Sequence, residues 1–137
     1  MQILQICNKS TYPPKEGGYI AMDAITKVLL SAEYKVKVIA MSTPKLNISK
    51  IDLPKLYTEQ TNFEYCFVDT NVKILPALKC YITGESYNVK RFKSNKFSSF
   101  LEKILKKYRF DIIQLETVYI APYVDIIRSI SPNSVII

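Results

Sequence analysis

The fold is decided by residues 2–41, "QILQICNKSTYPPKEGGYIAMDAITKVLLSAEYKVKVIAM". The stretch opens on a short apolar run, Gln2–Cys7, and closes on a second, Lys35–Met41. Between them Ala21, Ala24, Ile25, Val28 and Leu29 recur at helical spacing. That pattern predicts strand, amphipathic helix from Gly18 to about Ser31, and strand. The first run is apolar without alternation, as expected of a strand buried on both faces.

The same grammar extends along the chain. "FEYCFVD" (Phe63–Asp69) reads as a third strand, "FDIIQLE" (Phe110–Glu116) as a fourth, and "SVII" (Ser134–Ile137) as the start of a fifth. Phe97, Phe100, Leu101, Ile104, Leu105 and Tyr108 form one helical stripe, with Ser94 or Asn95 as its cap. Tyr119–Ser129 reads as a helix with Pro122 in its first turn. Residues 42–60 read as a long loop with at most one helical turn, and residues 75–87 as irregular because of Pro76 and Gly84. Strands alternating with helices imply an α/β class: a doubly wound, mainly parallel sheet with helices on both faces. Residues 1–137 read as one domain, cut just after its fifth strand begins, and so as part of a longer protein.

Composition narrows the chemistry. There is no His among the 137 residues, which removes His-based triads and the HExxH zinc site. Acidic residues are not clustered as ligands, so no metal is expected. Cys7, Cys66 and Cys80 are widely spaced, and Cys7 and Cys66 fall inside strand-like runs, as reduced core thiols would in a cytoplasmic protein. No apolar run reaches the ~18–20 residues of a membrane span, and "MQILQICNKS" lacks the features of a signal peptide. The net charge of +7 is concentrated: Lys73–Arg109 holds ten Lys/Arg against Glu85 and Glu102, while the remainder is nearly neutral. A basic surface suits a phosphate-bearing ligand, an anionic membrane or nucleic acid. It is equally what a solvated face looks like in a Lys-rich chain.

The glycines raise the sharper question, since two of only three stand together at Gly17-Gly18. In a doubly wound sheet the first strand-to-helix loop, here Asn8–Gly17, faces the ligand crevice. A helix N-terminus offers amide donors and a positive dipole end, and Gly lets an anion touch the backbone. The alternative is a turn with no ligand. A GxGxxG fingerprint and a GxxxxGK[ST] loop are both missing, which disfavours dinucleotide oxidoreductases and P-loop proteins.

Taken together, "ILQIC", "PPKEGG", the amphipathic helix, "VKVIAM" and "FDIIQLE" resemble the N-terminal domain of family-4 glycosyltransferases. These are retaining, nucleotide-sugar-dependent enzymes of the GT-B fold, and the resemblance spans Gln2–Ile137. It implies a Rossmann-like lobe that holds the acceptor, with a C-terminal lobe, absent from this chain, that binds most of the donor and carries the family's paired glutamates. By that match Gly17, Gly18 and the flanking Lys15 are donor-side contacts, and a nucleotide-diphosphate sugar is the co-substrate. Asn8, Glu116 and Tyr119, at the carboxyl ends of the first and fourth strands, are candidate acceptor contacts; no catalytic residue is assigned. Glu116 alternatively caps the following helix or pairs with a Lys, and Lys9 stands beside the loop.

Two departures bear on this. Relatives carry Gly-His where this chain has Glu33-Tyr34, so either Glu33 is strained or the helix ends differently. Histidines that often end the fourth strand are replaced by Gln114 and Glu116, which leaves the acceptor open. The expected activity is hexosyl transfer with retention to a glycan or lipid-linked acceptor in the cytoplasm. The lysines of residues 95–108, with Lys90, Arg91 and Lys93, are expected to contact the anionic inner face of a membrane. The alternative is a non-catalytic α/β binding module with a basic surface for nucleic acid or other anions, although no nucleic-acid-binding motif is present.

Overall fold

The computed structural model describes residues 1–14, 17–50 and 53–137. In chain order the elements are β1 (Gln2–Cys7), α1 (Gly17–Ser31), β2 (Lys35–Ser42), a 3-10 turn (Ile48–Lys50), α2 (Lys55–Gln60) and β3 (Glu64–Phe67). Then follow α3 (Ile74–Thr83), α4 (Tyr87–Lys90), α5 (Asn95–Lys107), β4 (Ile112–Leu115), a 3-10 helix (Val118–Tyr123), α6 (Val124–Ile130) and β5 (Val135–Ile136). The five strands form one sheet in the order β3-β2-β1-β4-β5, every pair parallel. This is the α/β doubly wound architecture, Rossmann-like, that the strand–helix alternation implies.

Alternate residues of each strand serve opposite layers. Cys7, Val36, Val38 and Ala40 pack with Met22 of α1, while Leu4, Ile6, Ile39, Met41 and Ile113 meet the α5–α6 layer. The helical stripe read from the sequence is buried at Phe97, Leu101, Ile104 and Leu105, leaving Lys103, Lys106 and Lys107 exposed. Ser94 caps α5, its hydroxyl accepting from the Phe97 amide at 3.4 Å. Cys7, Cys66 and Cys80 are all buried free thiols. Burial pushes the Cys7 and Cys66 thiols up, and the nearby Glu116 carboxylate adds to the effect at Cys7.

Four segments differ from the sequence reading. In α1 the stripe Ala21, Ala24, Ile25 and Val28 is exposed and Leu29 only half-buried; the helix buries Tyr19, Met22, Asp23 and Thr26 instead. Residues 75–87 are not irregular: α3 runs through them, because Pro76 lies in the first turn, where no intrahelical amide bond is lost. Gly84, at φ 70°, is the left-handed residue that ends α3, not a break within it. Residues 42–60 hold both a 3-10 turn and α2. Pro122 lies inside a 3-10 helix, and the α-helix starts only at Val124; the proline cannot supply the amide that an earlier start would need.

The end of α1 resolves the question at Glu33. The Tyr34 amide donates to Leu29 O (3.2 Å) and the Glu33 amide to Leu30 O (3.0 Å), the paired bonds of a Schellman cap. Glu33 therefore occupies the position that wants glycine, at φ 60°. A left-handed L-residue costs roughly 1–2 kcal/mol, part of which glycine returns as unfolded-state entropy. Glu33→Gly should stabilise the fold by about 0.5–1 kcal/mol, a rise of a few degrees in Tm. Glu33→Ala should give no comparable gain, since alanine keeps the strained Cβ; equal gains in thermal melts of the two variants would place the effect in the lost charge.

Candidate functional site

Parallel pairing sends every strand's carboxyl end to one edge, and the strand order reverses direction between β1 and β4. Asn8 and Glu116 stand at that switch point, immediately after the paired ends of β1 and β4. Beside it, beyond β1, β2 and β3, an open cleft of about 290 Å3 is lined by Asn8 and Lys9, by Thr43 and Lys45, by Asn71, and by Arg91 and Phe92. Three cations face it and no carboxylate lines it. Six ion pairs are formed among the described residues, and none involves Lys9, Lys45 or Arg91.

Two polar atoms in this wall are buried without a partner among the described residues: Asn8 Oδ1, on a side chain whose residue is only 9% exposed, and Arg91 Nε. They have opposite appetites. The Asn8 carbonyl accepts, as from a ligand hydroxyl, while the Arg91 guanidinium donates, as to a phosphate or carboxylate oxygen. Leaving either unmade costs roughly 1–3 kcal/mol; both atoms are themselves covered, so a ligand or water in the cleft meets them only once the side chain turns.

Lys9 ties the cleft to the glycine pair. Its Nζ lies 4.0 Å from the centre of the Tyr19 ring. A Cβ built on Gly18 would come within 3.2 Å of the same Nζ, whereas one on Gly17 would meet nothing within 4 Å. Both glycines are exposed at the first turn of α1. Gly18 thus makes room for an ammonium group over a helix N-terminus, two positive features converging on one spot. Lys15 lies outside the described residues.

The remaining candidates divide. The Tyr119 ring is stacked on Phe92 at 4.5 Å and 25°, so it braces the cleft wall from behind. Tyr123, whose phenol is pushed up to about 12 by burial, donates to Phe92 O (2.6 Å) and accepts from the Ser94 amide (2.8 Å), which pins the same wall to α5. Glu116 is not among the cleft-lining residues. Its Oε1 accepts from Gln5 Nε2 (2.5 Å), and the Gln5 amide also donates to Met22 O (3.3 Å) and accepts from Thr26 Oγ1 (2.6 Å). Gln5 is fully buried in the central strand and spends its whole amide on this network.

Sequence reasoning did not single out Lys45, and it grouped Arg91 with Lys90 and Lys93 as a basic face without placing it at this cleft. The available signal was positional: both lysines follow directly on the ends of β1 and β2 in "NK" and "TPK". Nothing comparable marks Arg91, which reaches the cleft from the far end of α4. Among the described residues no three metal-ligating side chains converge, and no helix is long and apolar enough to cross a membrane.

Burial pushes the Glu116 carboxyl up, and the Gln5 hydrogen bond pulls in the opposite direction. The folded form then binds a proton more readily than the unfolded chain does, so this group's stability contribution is greatest at low pH and is lost as pH rises through the folded value. Glu116→Gln keeps an acceptor for Gln5 and removes the ionisation. The variant should match the parent near pH 4 and melt higher at pH 7. A constant difference in Tm across that range would show that desolvation of Glu116 does not govern it.

Comparison with family models, curated proteins and solved structures finds no match for this chain.

Proposed function

We propose that this domain is the acceptor-side lobe of a retaining, nucleotide-sugar-dependent glycosyltransferase, with the cleft beyond β1–β3 holding a phosphorylated, hydroxyl-rich ligand. One observation supports the reading: three cations, Lys9, Lys45 and Arg91, line one cleft with Asn8 and without a carboxylate, at the carboxyl edge of a doubly wound sheet. A sugar phosphate meets all of these demands at once, with hydroxyls for Asn8 and oxyanions for Arg91, Lys9 and Lys45.

The chemistry follows from this arrangement. The lobe positions the attacking hydroxyl, and the Lys9–Gly18 corner faces the charge that develops on the leaving diphosphate. Gly17 and Gly18 leave that corner open, and Phe92, buried with Tyr119 stacked on its ring, holds the wall from which Arg91 reaches the ligand. A second lobe closes the gap and supplies the groups that act on the donor's anomeric carbon. Glu116 takes part by fixing Gln5 and the end of β1.

Titration of the 137-residue chain with glucose, glucose 1-phosphate and a uridine-diphosphate sugar, followed by NMR shifts, tests the reading. Binding is expected for the two phosphorylated ligands only, weakening with salt. Arg91→Ala should weaken it roughly tenfold or more, with Tm little changed. Gly18→Val should displace Lys9 and weaken binding similarly, while stability stays level because valine is no worse a helix former than glycine. Turnover of a nucleotide sugar by these 137 residues alone would overturn the half-site account. Tight, steeply salt-dependent binding of arbitrary oligonucleotides without any response to sugar phosphates would favour the nucleic-acid module instead.

A further inference from the structure

Helix α3 is built the wrong way round for a soluble surface. At about 100° per residue, Tyr81, Ile74, Leu78, Ile82 and Leu75 fall within one ~120° arc. Such an arc ordinarily faces a core, yet here it faces solvent: Ile74 is 82% exposed, Leu75 80%, Tyr81 86% and Ile82 76%. Cys80, on the opposite side, is the one buried residue of the helix. Val72, just before the helix, is also exposed. A contiguous apolar patch of this kind marks an interaction surface.

Its surroundings identify the partner. Lys79 lies at the margin of the arc, and a second cleft of about 200 Å3 between α3 and α4 is lined by Lys73, Lys90, Arg91 and Lys93 against Asp69 alone. Asp69 holds Lys73 at 3.4 Å, and Glu85 holds Lys90. Lys79, Arg91 and Lys93 form no close ion pair among the described residues, although the charge of Lys79 is felt at Glu85. A short helix with an apolar face outward and uncompensated cations beside it matches an interface in which acyl chains lie next to anionic headgroups. A second copy of the chain is a poor match, since each brings a net charge of +7.

We infer that α3 is a membrane-docking helix: it lies in the plane of an anionic lipid surface with Ile74, Leu75, Leu78, Tyr81 and Ile82 among the acyl chains, and the α3–α4 cleft seats a lipid phosphate. The docking element is then the apolar arc of α3, and the exposed lysines of α5 are not needed for it. The inference stands independently of the transferase reading.

Co-sedimentation of the 137-residue chain with vesicles tests it. Binding is expected to vesicles of phosphatidylglycerol and phosphatidylcholine in equal parts and to be lost on phosphatidylcholine alone. Ile74→Ser with Ile82→Ser should weaken binding by at least about tenfold, with circular dichroism and Tm unchanged because both side chains are exposed. Lys79→Glu with Lys93→Glu should weaken it by about fivefold or more per cation. The chain contains no Trp, so Tyr81→Trp gives a single fluorophore whose emission should shift to the blue on the anionic vesicles. Absence of vesicle binding would overturn the inference. So would binding indifferent to Ile74→Ser with Ile82→Ser, an unshifted Trp spectrum, or a dimer in sedimentation equilibrium that those substitutions dissociate.

Discussion

Strand β1 carries the structure because it is paired on both edges, with β2 over Gln2–Cys7 and with β4 over Ile3–Ile6, and covered on both faces. A strand so enclosed cannot carry a polar side chain without burying it, so Ile3, Leu4, Ile6 and Cys7 are all apolar. Parallel partners on both sides also demand long crossovers, and these place α1 on one face and α5 on the other. What remains is the end of the strand. Asn8 and Lys9 are the first residues free of the ladder, and both line the cleft. Gln5 is the exception that obeys the rule: its amide is buried but used at both ends, by Thr26, Met22 and Glu116.

The cleft wall depends on a second set of contacts. Arg91 and Phe92 come from the segment between α4 and α5, far from β1 in sequence. Tyr123 holds them in place by bridging Phe92 O and the Ser94 amide, and its ring meets Phe97 at 5.0 Å. The residue that caps α5 and the residues that line the cleft are therefore clamped by one buried phenol. Charge convergence at the cleft is eased at two of the three cations by an aromatic neighbour: Lys9 has the Tyr19 ring and Arg91 the Phe92 ring at 5.5 Å. An anion would add to these contacts without having to displace a carboxylate.

Most of the architecture was legible because enclosed strands and two-layer helices leave strong apolar signatures. The stripe of α5 and the runs of β1 and β2 needed no tertiary information. The errors fell where one residue type has two opposite uses. Pro76 and Gly84 were read as breakers, but position decides: near a helix start and just past its end they are favourable. The stripe of α1 misled in a different way: Ala21, Ala24, Ile25 and Val28 have helical spacing but face solvent, and spacing looks the same whether an arc meets a core or water. Arg91 could not have been placed from sequence at all, because the Tyr123 clamp that aims its segment is a contact across 31 residues. Glu33 was legible as a conflict, and the Schellman bonds show that the backbone geometry prevailed over the side chain's preference.

The segment between β3 and α5 joins the switch-point cleft to the exposed apolar face of α3. From Asp69 to Ser94 only Cys80 and Phe92 are buried, so the core hardly depends on its sequence. Such a stretch is free to vary towards Ser, Asn and Glu, the residues that keep a surface soluble at little cost. It holds instead six of the exposed large hydrophobics on or beside one helix and a run of cations in Lys90, Arg91 and Lys93. Stability does not require that composition, and solubility opposes it. Arg91 and Asn71 line both the switch-point cleft and the cleft beside α3, so the two sites share a wall. An acceptor whose phosphate stays at a bilayer while its hydroxyls reach Asn8 would touch both, and one exposed segment would then account for where the domain docks and for what it receives there.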